Sequence, residues 1–308
     1  MVPMTDPTET QKTPPIQPLK MFKAAILQTW QNLQVIILLA AFFALIDIAL
    51  GLPILDEMVE DRANGSDIVI MDESAPTAPN DSLESDDGNI TDDDYFGAYR
   101  PYMIIANFII SPILLMLLAR LAMVGQQYLF SGGWGDGFRR YTHVFWVQIL
   151  VVLWLLLVLF FINLFLTVLG IPTIISLAIL SVAALHVLLF GGLSISYAAQ
   201  DRVLPVSKAF KALKSHIFQL FPLAVFPGLL LALATLLVYF TGQSLLLDSE
   251  GNIFIYALNG LMLGIVNSLG IFFWYAIMRQ LSLHFADDIE QQIDGDPRNT
   301  PWDNPNSK

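Results

Sequence analysis

The chain contains no cysteine and only four histidines, and just 14% of its 308 residues are charged. Without thiols there is no disulfide framework, no thiol nucleophile, no iron–sulfur ligation and no thiolate zinc site. The histidines, His143, His186, His216 and His284, are scattered without a metal-ligand spacing. Large basic clusters are also missing, so nucleic-acid binding, which works by displacing counterions from phosphates, has no support. No strand-borne nucleophile elbow and no paired-carboxylate motif is visible. The expectation is a protein without enzymatic activity, cofactor or metal. What the chain has instead is apolar residue, 55% of the total. An ordinary soluble domain is about 45 to 50% apolar and about a quarter charged, which makes this an integral membrane protein.

The formal charge of −12 belongs to one stretch. Residues Leu55 to Ala98 hold fourteen Asp or Glu against Arg62 alone, a balance of −13 that leaves the rest of the chain at +1. Aligning Gly88 with the glycine of an EF-hand loop puts Leu83 at the first ligand position, and Leu cannot ligate. A hydrated, self-repelling loop is the expectation for 55–98. It contains three glycosylation sequons by pattern, at Asn64, Asn80 and Asn89, which coincidence explains as well in a segment so rich in Asn, Ser and Thr.

Crossing about 30 Å of hydrocarbon takes roughly 20 apolar residues. The chain offers six such runs, near Val35 to Ile54, Tyr102 to Met123, Val144 to Leu169, Pro172 to Tyr197, Leu220 to Phe240 and Ile253 to Met278. The first lacks the cleavage pattern of a removable signal peptide and is expected to persist as a helix. Only Gly170 and Ile171 separate the third run from Pro172, which predicts a tight helical hairpin. Cationic residues favour the cytoplasmic side. Lys20, Lys23, Arg120, Arg139, Arg140, Arg202, Lys208, Lys211, Lys214 and Arg279 all fall on one side of a six-crossing path, against Arg62 and Arg100 on the other. Both termini are therefore expected in the cytoplasm, with the acidic loop outside.

The six runs group into three units. Phe22-Lys23 precedes Trp30, Phe138-Arg139 precedes Trp146 and Phe210-Lys211 precedes Phe218, each by eight positions from the Phe, and each block leads into a pair of runs. The unit starts lie 116 and 72 residues apart, and the difference of 44 equals the length of the acidic loop, an insertion into the first unit. In the third block Val206, Ala209, Phe210, Leu213 and Ile217 recur at helical spacing while Lys208, Lys211 and Lys214 fall opposite. A helix of this kind lies in the headgroup region with its cations toward anionic lipid, and Lys23, Arg139 and Arg140 extend the same role to the other blocks. The alternative is a cytoplasmic start that merely lengthens each membrane helix.

Gln28-Thr29-Trp30-Gln31-Asn32-Leu33, Val124-Gly125-Gln126-Gln127, the Gly170-Ile171-Pro172 hairpin, and Asp201-Arg202 with Ala209-Phe210-Lys211-Ala212-Leu213-Lys214-Ser215 form a pattern across residues 20 to 280. It resembles the YciC-like family of small bacterial inner-membrane proteins, and more distantly the membrane portion of some glycerophosphodiester phosphodiesterases. The long acidic loop departs from that pattern, and the phosphodiesterase domain is absent. The resemblance implies a multi-pass protein of the bacterial inner membrane and supplies no catalytic residue.

Polar residues inside hydrocarbon are the default functional candidates. Asp47, Asn107, Asn163 and Asn259 are expected at similar depth and would form one polar layer, able to bind a small cation or relay a proton, or else to hold the bundle by hydrogen bonds. His186 and Asn267 are a second candidate pair. Arg120 reads as an anchor whose stem reaches the headgroups. Gly260, Gly264 and Ser268 give one helix a small-residue face for close approach, within the bundle or between copies. The run Gly132-Gly133-Trp134-Gly135-Asp136-Gly137 lacks the ending of a phosphate loop and reads as a flexible turn.

The expected fold is thus an all-α integral membrane protein of six transmembrane helices in three hairpin units, each preceded by an amphipathic interfacial segment. Residues 1–17 and the acidic 280–308 are cytoplasmic tails around a membrane domain at 18–279. The expected function is non-enzymatic, in envelope or lipid homeostasis or scaffolding, with anionic lipids as partners. The competing class is a small transporter or ion-coupled permease built on Asp47.

Overall fold

A computed structural model describes residues 16–63, 92–248 and 253–294. The described residues are mostly helical, with no strand among them: α1 (Pro18–Gln31), α2 (Leu33–Ala63), α3 (Asp92–Val124), α4 (Trp134–Val168), α5 (Thr173–Ala198), α6 (Val206–Leu213), α7 (Ile217–Asp248), α8 (Ile253–His284) and α9 (Ala286–Asp294). Five of these helices carry spans long and apolar enough to cross a membrane, in α2, α4, α5, α7 and α8. The run expected as the second crossing lies in α3, whose apolar Phe108–Val124 portion has 17 residues, roughly 25 Å at 1.5 Å each.

α8 is the axis of the bundle and packs against α1, α2, α3, α5 and α7. A third of its span is buried, 33% against 11% for α4. The remaining surface of the spans shows Leu, Phe and Ile side chains such as Leu157, Phe160, Leu233 and Phe254. Such surface is stable only in an apolar medium. The small face of α8 is met by α2 of the same chain. A Cβ on Gly264 would lie 2.8 Å from Cβ of Ala44, and one on Gly260 would lie 3.1 Å from Cγ1 of Ile48. Ser268 on the same face is buried. The face offered above for packing within the bundle or between copies is used here within the bundle.

The expected hairpin forms. Gly170 sits at φ +65°, its N–H donates to the carbonyl of Thr167, and the N–H of Ile171 donates to that of Leu166. This paired capping satisfies carbonyls that the end of α4 would otherwise leave bare.

The buried core is concentrated at one end of the bundle, hereafter the closed end, where α3, α5 and α8 finish and α4 and α7 begin. Leu118, Leu121, Leu193, Leu220, Phe272 and Ile277 are all fully buried there. α1 lies along α8, with Phe22 packed edge-on to Phe226 and stacked near Phe273. α6 rests on α5 and α9.

Four boundaries differ from the sequence reading. α2 continues through Ala63 and α3 begins at Asp92, so both ends of the expected acidic loop are helical; residues 64–91 lie outside the described set. The 280–308 tail is not solvated throughout: α9 docks by Ile289 and Ile293, both buried, while 295–308 lie outside the described residues. The tail's acidic count hid an apolar pair at helical spacing. In the second unit Phe138 and Arg139 belong to the first turns of a continuous α4, the alternative of a lengthened membrane helix. In the third, the apolar stripe of α6 carrying Ala209 and Leu213 is buried within the protein. A short stripe placed beside two apolar helices is covered by them before it can reach lipid.

Candidate functional site

The closed end is tied together by arginines. α5 terminates at Ala198, and the N–H of Arg202 reaches the carbonyl of Tyr197 while that of Asp201 reaches Ala198. This is the same paired cap as at Gly170, but its left-handed position, φ +64°, is occupied by Asp201. Asp tolerates that conformation better than most residues because its short side chain makes local polar contacts. Here the carboxylate faces α4: Nε of Arg140 donates to Oδ2 at 2.6 Å and Nη2 of Arg139 lies 3.2 Å from Oδ1.

Arg140 is 7% exposed, and its Nη1 also donates to the carbonyl of Ser131 at 2.7 Å. It was expected at the lipid headgroups. Its Nε and Nη1 tie α4 to the end of α5 and to the α3–α4 loop, and its Nη2 is not used in those bonds. Arg139, with a side chain about half exposed at 54%, keeps an outward aspect.

Arg120, expected to be a headgroup anchor, is 6% exposed. Its Nε donates to the carbonyls of Tyr128 and Leu129, Nη1 to that of Ala199 at 3.0 Å and Nη2 to Oγ of Ser131 at 2.7 Å; Oγ in turn donates to Tyr128. One guanidinium thus closes the α3–α4 loop on itself and onto α5. Carbonyls at helix ends and in loops need donors, and Arg supplies five in a fixed fork. Among the described residues no carboxylate comes within ion-pair distance of it.

Beside these two arginines is a cavity of roughly 330 Å³, walled by Met116, Leu117 and Leu129 and rimmed by Gly132, Gly133 and Gly137. The glycine-rich run is therefore not merely a turn. Gly132 adopts φ +98°, where a Cβ would lie 2.9 Å from Oδ2 of Asp136 and 3.1 Å from Nη2 of Arg140. Gly133 and Gly137 face open space. Trp134 stands beside them at 98% exposure.

Two further contacts complete this end. Arg202 and Glu290 form a two-pronged pair at 2.8 and 2.6 Å that pins α9, and the Arg202 hydrogen bonds hold the Glu290 carboxyl below its ordinary value. Gln28 of α1 donates through Nε2 to the carbonyl of Ala122, while its buried Oε1 has no partner among the described residues.

The expected polar layer is not drawn together. Asp47 and Asn163 are exposed on α2 and α4, which have no extensive contact with each other. Asn259 is half-buried, next to the Gly260–Ile48 approach and thus at the level of Asp47; the side chain of Asn107 lies outside the described residues. The His186–Asn267 pair is redirected as well. Nδ1 of His186 is 2.7 Å from the carbonyl of Val182 in its own helix, and Oδ1 of Asn267 accepts from Thr235 of α7 at 3.1 Å. Lys23, Lys211 and Lys214 are exposed and Lys208 is half-buried. Among the described residues no three His, Asp or Glu side chains gather as a metal site.

The residues the sequence reading missed are Asp201, Ser131 and Glu290 as partners. A signal existed: Arg120, a charge inside an apolar run, needed acceptors, and the α5 end lacked the glycine that such a cap normally uses. Set against known protein families, curated proteins and solved structures, the chain matches none of them.

Proposed function

We propose that the chain is a six-span, non-enzymatic protein of a bacterial inner membrane, with both termini and the closed end on the cytoplasmic side. It acts in envelope or lipid homeostasis, as a scaffold whose basic end is seated on anionic headgroups. α3 supplies the sixth crossing, since its apolar portion continues a helix of 33 residues. The YciC-like pattern of the sequence agrees with this location.

The observation that carries the reading is the sorting of Lys and Arg to one side of the six-crossing path. Ten Lys and Arg fall on that side, and of these Lys20, Lys23, Lys211 and Lys214 are exposed. Around them Trp30, Phe130, Trp134, Phe138 and Phe218 are exposed. Of these, Trp30 and Trp134 have the amphipathic rings that a membrane–water boundary selects beside cations. α1 contributes by having two apolar faces: Met21 and Ala25 are buried in the bundle, whereas Leu19, Ile26 and Leu27 point outward with Lys20 and Lys23.

Topology reporters fused at residue 1, within 64–91 and after residue 308 test the orientation, with cytoplasmic signal expected from the two termini alone. Reconstituted protein should bind fluorescent anionic lipid over zwitterionic lipid, and the Lys211→Gln/Lys214→Gln double variant should lose part of that preference. A cytoplasmic signal from 64–91, or no preference for anionic lipid, overturns the proposal.

A further inference from the structure

We infer that the cavity between α3 and α4 is a site for one phosphate-bearing amphiphile, a phospholipid whose phosphate meets Arg120 and Arg140 and whose glycerol and upper acyl portions lie against Met116, Leu117 and Leu129. This deepens the headgroup reading above and rests on it, since it places a single, stoichiometric lipid where that reading has only a charged surface.

Both arginines are more than nine-tenths buried, and both line the cavity. Each has N–H groups beyond those spent on the protein: Arg120 uses Nε and one bond from each Nη, and Arg140 uses Nε and Nη1. Nη2 of Arg140 faces the rim at Gly132. The local charge is incompletely balanced. Asp201 and Asp136 both lie on the Arg140 side, and among the described residues no carboxylate is within ion-pair distance of Arg120, so an anion beside Arg120 is favoured. Phosphate is the anion that a planar donor fork matches and that occurs at this level of a bilayer. The wall chemistry selects what is attached to it. A free inorganic anion has no use for three apolar side chains, whereas a lipid does.

Part of the rim, at Gly132, Gly133 and Gly137, has no side chains, while Phe130 and Trp134 line the rest. Four of the six residues from 132 to 137 are glycine. A Cβ on Gly133, Gly135 or Gly137 would touch nothing within 4 Å, so packing does not require glycine there. Gly135 and Gly137 lie in the first turns of α4, where glycine weakens a helix relative to alanine. At Gly137, which lines the cavity, glycine leaves a doorway instead.

Arg120→Gln is the obvious variant, but it removes the donors that close the loop and is expected to fail to fold. Gly137→Leu fills the doorway at a helical position with room for it. Full-length protein in bilayer discs of phosphatidylglycerol and phosphatidylcholine, released into the gas phase for native mass spectrometry, should retain one phosphatidylglycerol. Gly137→Leu should lower that occupancy at least tenfold, and Lys211→Gln/Lys214→Gln should keep it. Equal retention in wild type and Gly137→Leu overturns the site. So does loss in the lysine variant alone, which would leave the broader surface reading standing; no retention with no anionic preference defeats both. Displacement by millimolar inorganic phosphate would keep the arginine anion site and overturn the choice of lipid as its source.

Discussion

The carboxylate of Asp201 takes the Nε of Arg140 at 2.6 Å from a backbone held at φ +64°, a conformation where glycine is the usual occupant. Left-handed geometry costs a residue with a Cβ roughly 1 to 2 kcal/mol. An acidic residue here therefore indicates that the ion pair outweighs the backbone cost. Asp201→Ala should lose both the pair and the local polar contacts that make the conformation tolerable, and destabilise by about 3 kcal/mol, the usual cost of stranding one charge of a buried pair. Asp201→Gly should cost roughly 1 kcal/mol less than Asp201→Ala, because it relieves the backbone while still stranding Arg140. Asn should be the mildest of the three. Thermal unfolding in one detergent gives the order; an Asp201→Gly protein more stable than wild type would show that the pair contributes nothing.

Close approach of α2 and α8 gives a second prediction. With only 2.8 Å between a Cβ built on Gly264 and Cβ of Ala44, Gly264→Ala forces the helices apart and should cost about 1 to 3 kcal/mol, as overpacking does. Ala44→Gly combined with Gly264→Ala should recover most of it, giving a coupling of about 1 kcal/mol in a double-mutant cycle. The apparent mass in light scattering should stay unchanged through the cycle. A change in mass would move this face to a contact between copies.

The spans and the hairpin were legible in the sequence because each rests on a local rule. An apolar run has a length, and Gly170-Ile171-Pro172 has a turn chemistry that needs no distant partner. The small face of α8 was legible too, though not what it would meet, since spacing marks a face and says nothing of its neighbour. The arginine ties were not legible: Arg140 meets Asp201 across 61 positions and Arg120 meets Ala199 across 79, and only the assembled bundle brings them together. α9 was hidden for a different reason. Its Asp287, Asp288 and Glu290 set the impression of a solvated tail, whereas Ile289 and Ile293, two residues in a row of charges, decide where it sits. The intramembrane layer was expected from depth alone, and depth does not fix azimuth: residues at one level on α2 and α4 point wherever helix rotation takes them.

Acid should loosen α9 before it loosens the spans. Arg202 depresses the carboxyl of Glu290 in the folded protein, so the pair's stabilisation is fully present above the ordinary glutamate value near 4.5 and is lost as pH falls through the depressed one. The pair is about 40% exposed, and its contribution is correspondingly modest, under about 1 kcal/mol after screening. Amide exchange in α9 should rise as pH is lowered below about 4.5, once corrected for the intrinsic rate, while α8 stays protected. Glu290→Gln should show the raised exchange at neutral pH and no further acid step. Identical profiles for wild type and Glu290→Gln would mean that Ile289 and Ile293 alone hold the helix.

Asp47 separates the scaffold from the permease. It is exposed on α2, one residue before the Ile48 that packs under Gly260, and Asn163 stands on a helix that α2 does not extensively touch. A relay needs groups within hydrogen-bond reach or joined by water in a shared cavity, and the cavity described here is at the other end of the bundle, beside Arg120. Asp47→Asn preserves shape and removes a charge whose placement in hydrocarbon is itself costly, by translocon scales about 2.5 to 3.5 kcal/mol at a bilayer centre and less toward the edge. Its stability should therefore be equal to wild type or higher, and proton and sodium flux into proteoliposomes should be unaltered. Flux in the wild type that Asp47→Asn abolishes would restore the permease, and would require α2 to rotate so that its carboxylate leaves the lipid face for the bundle interior.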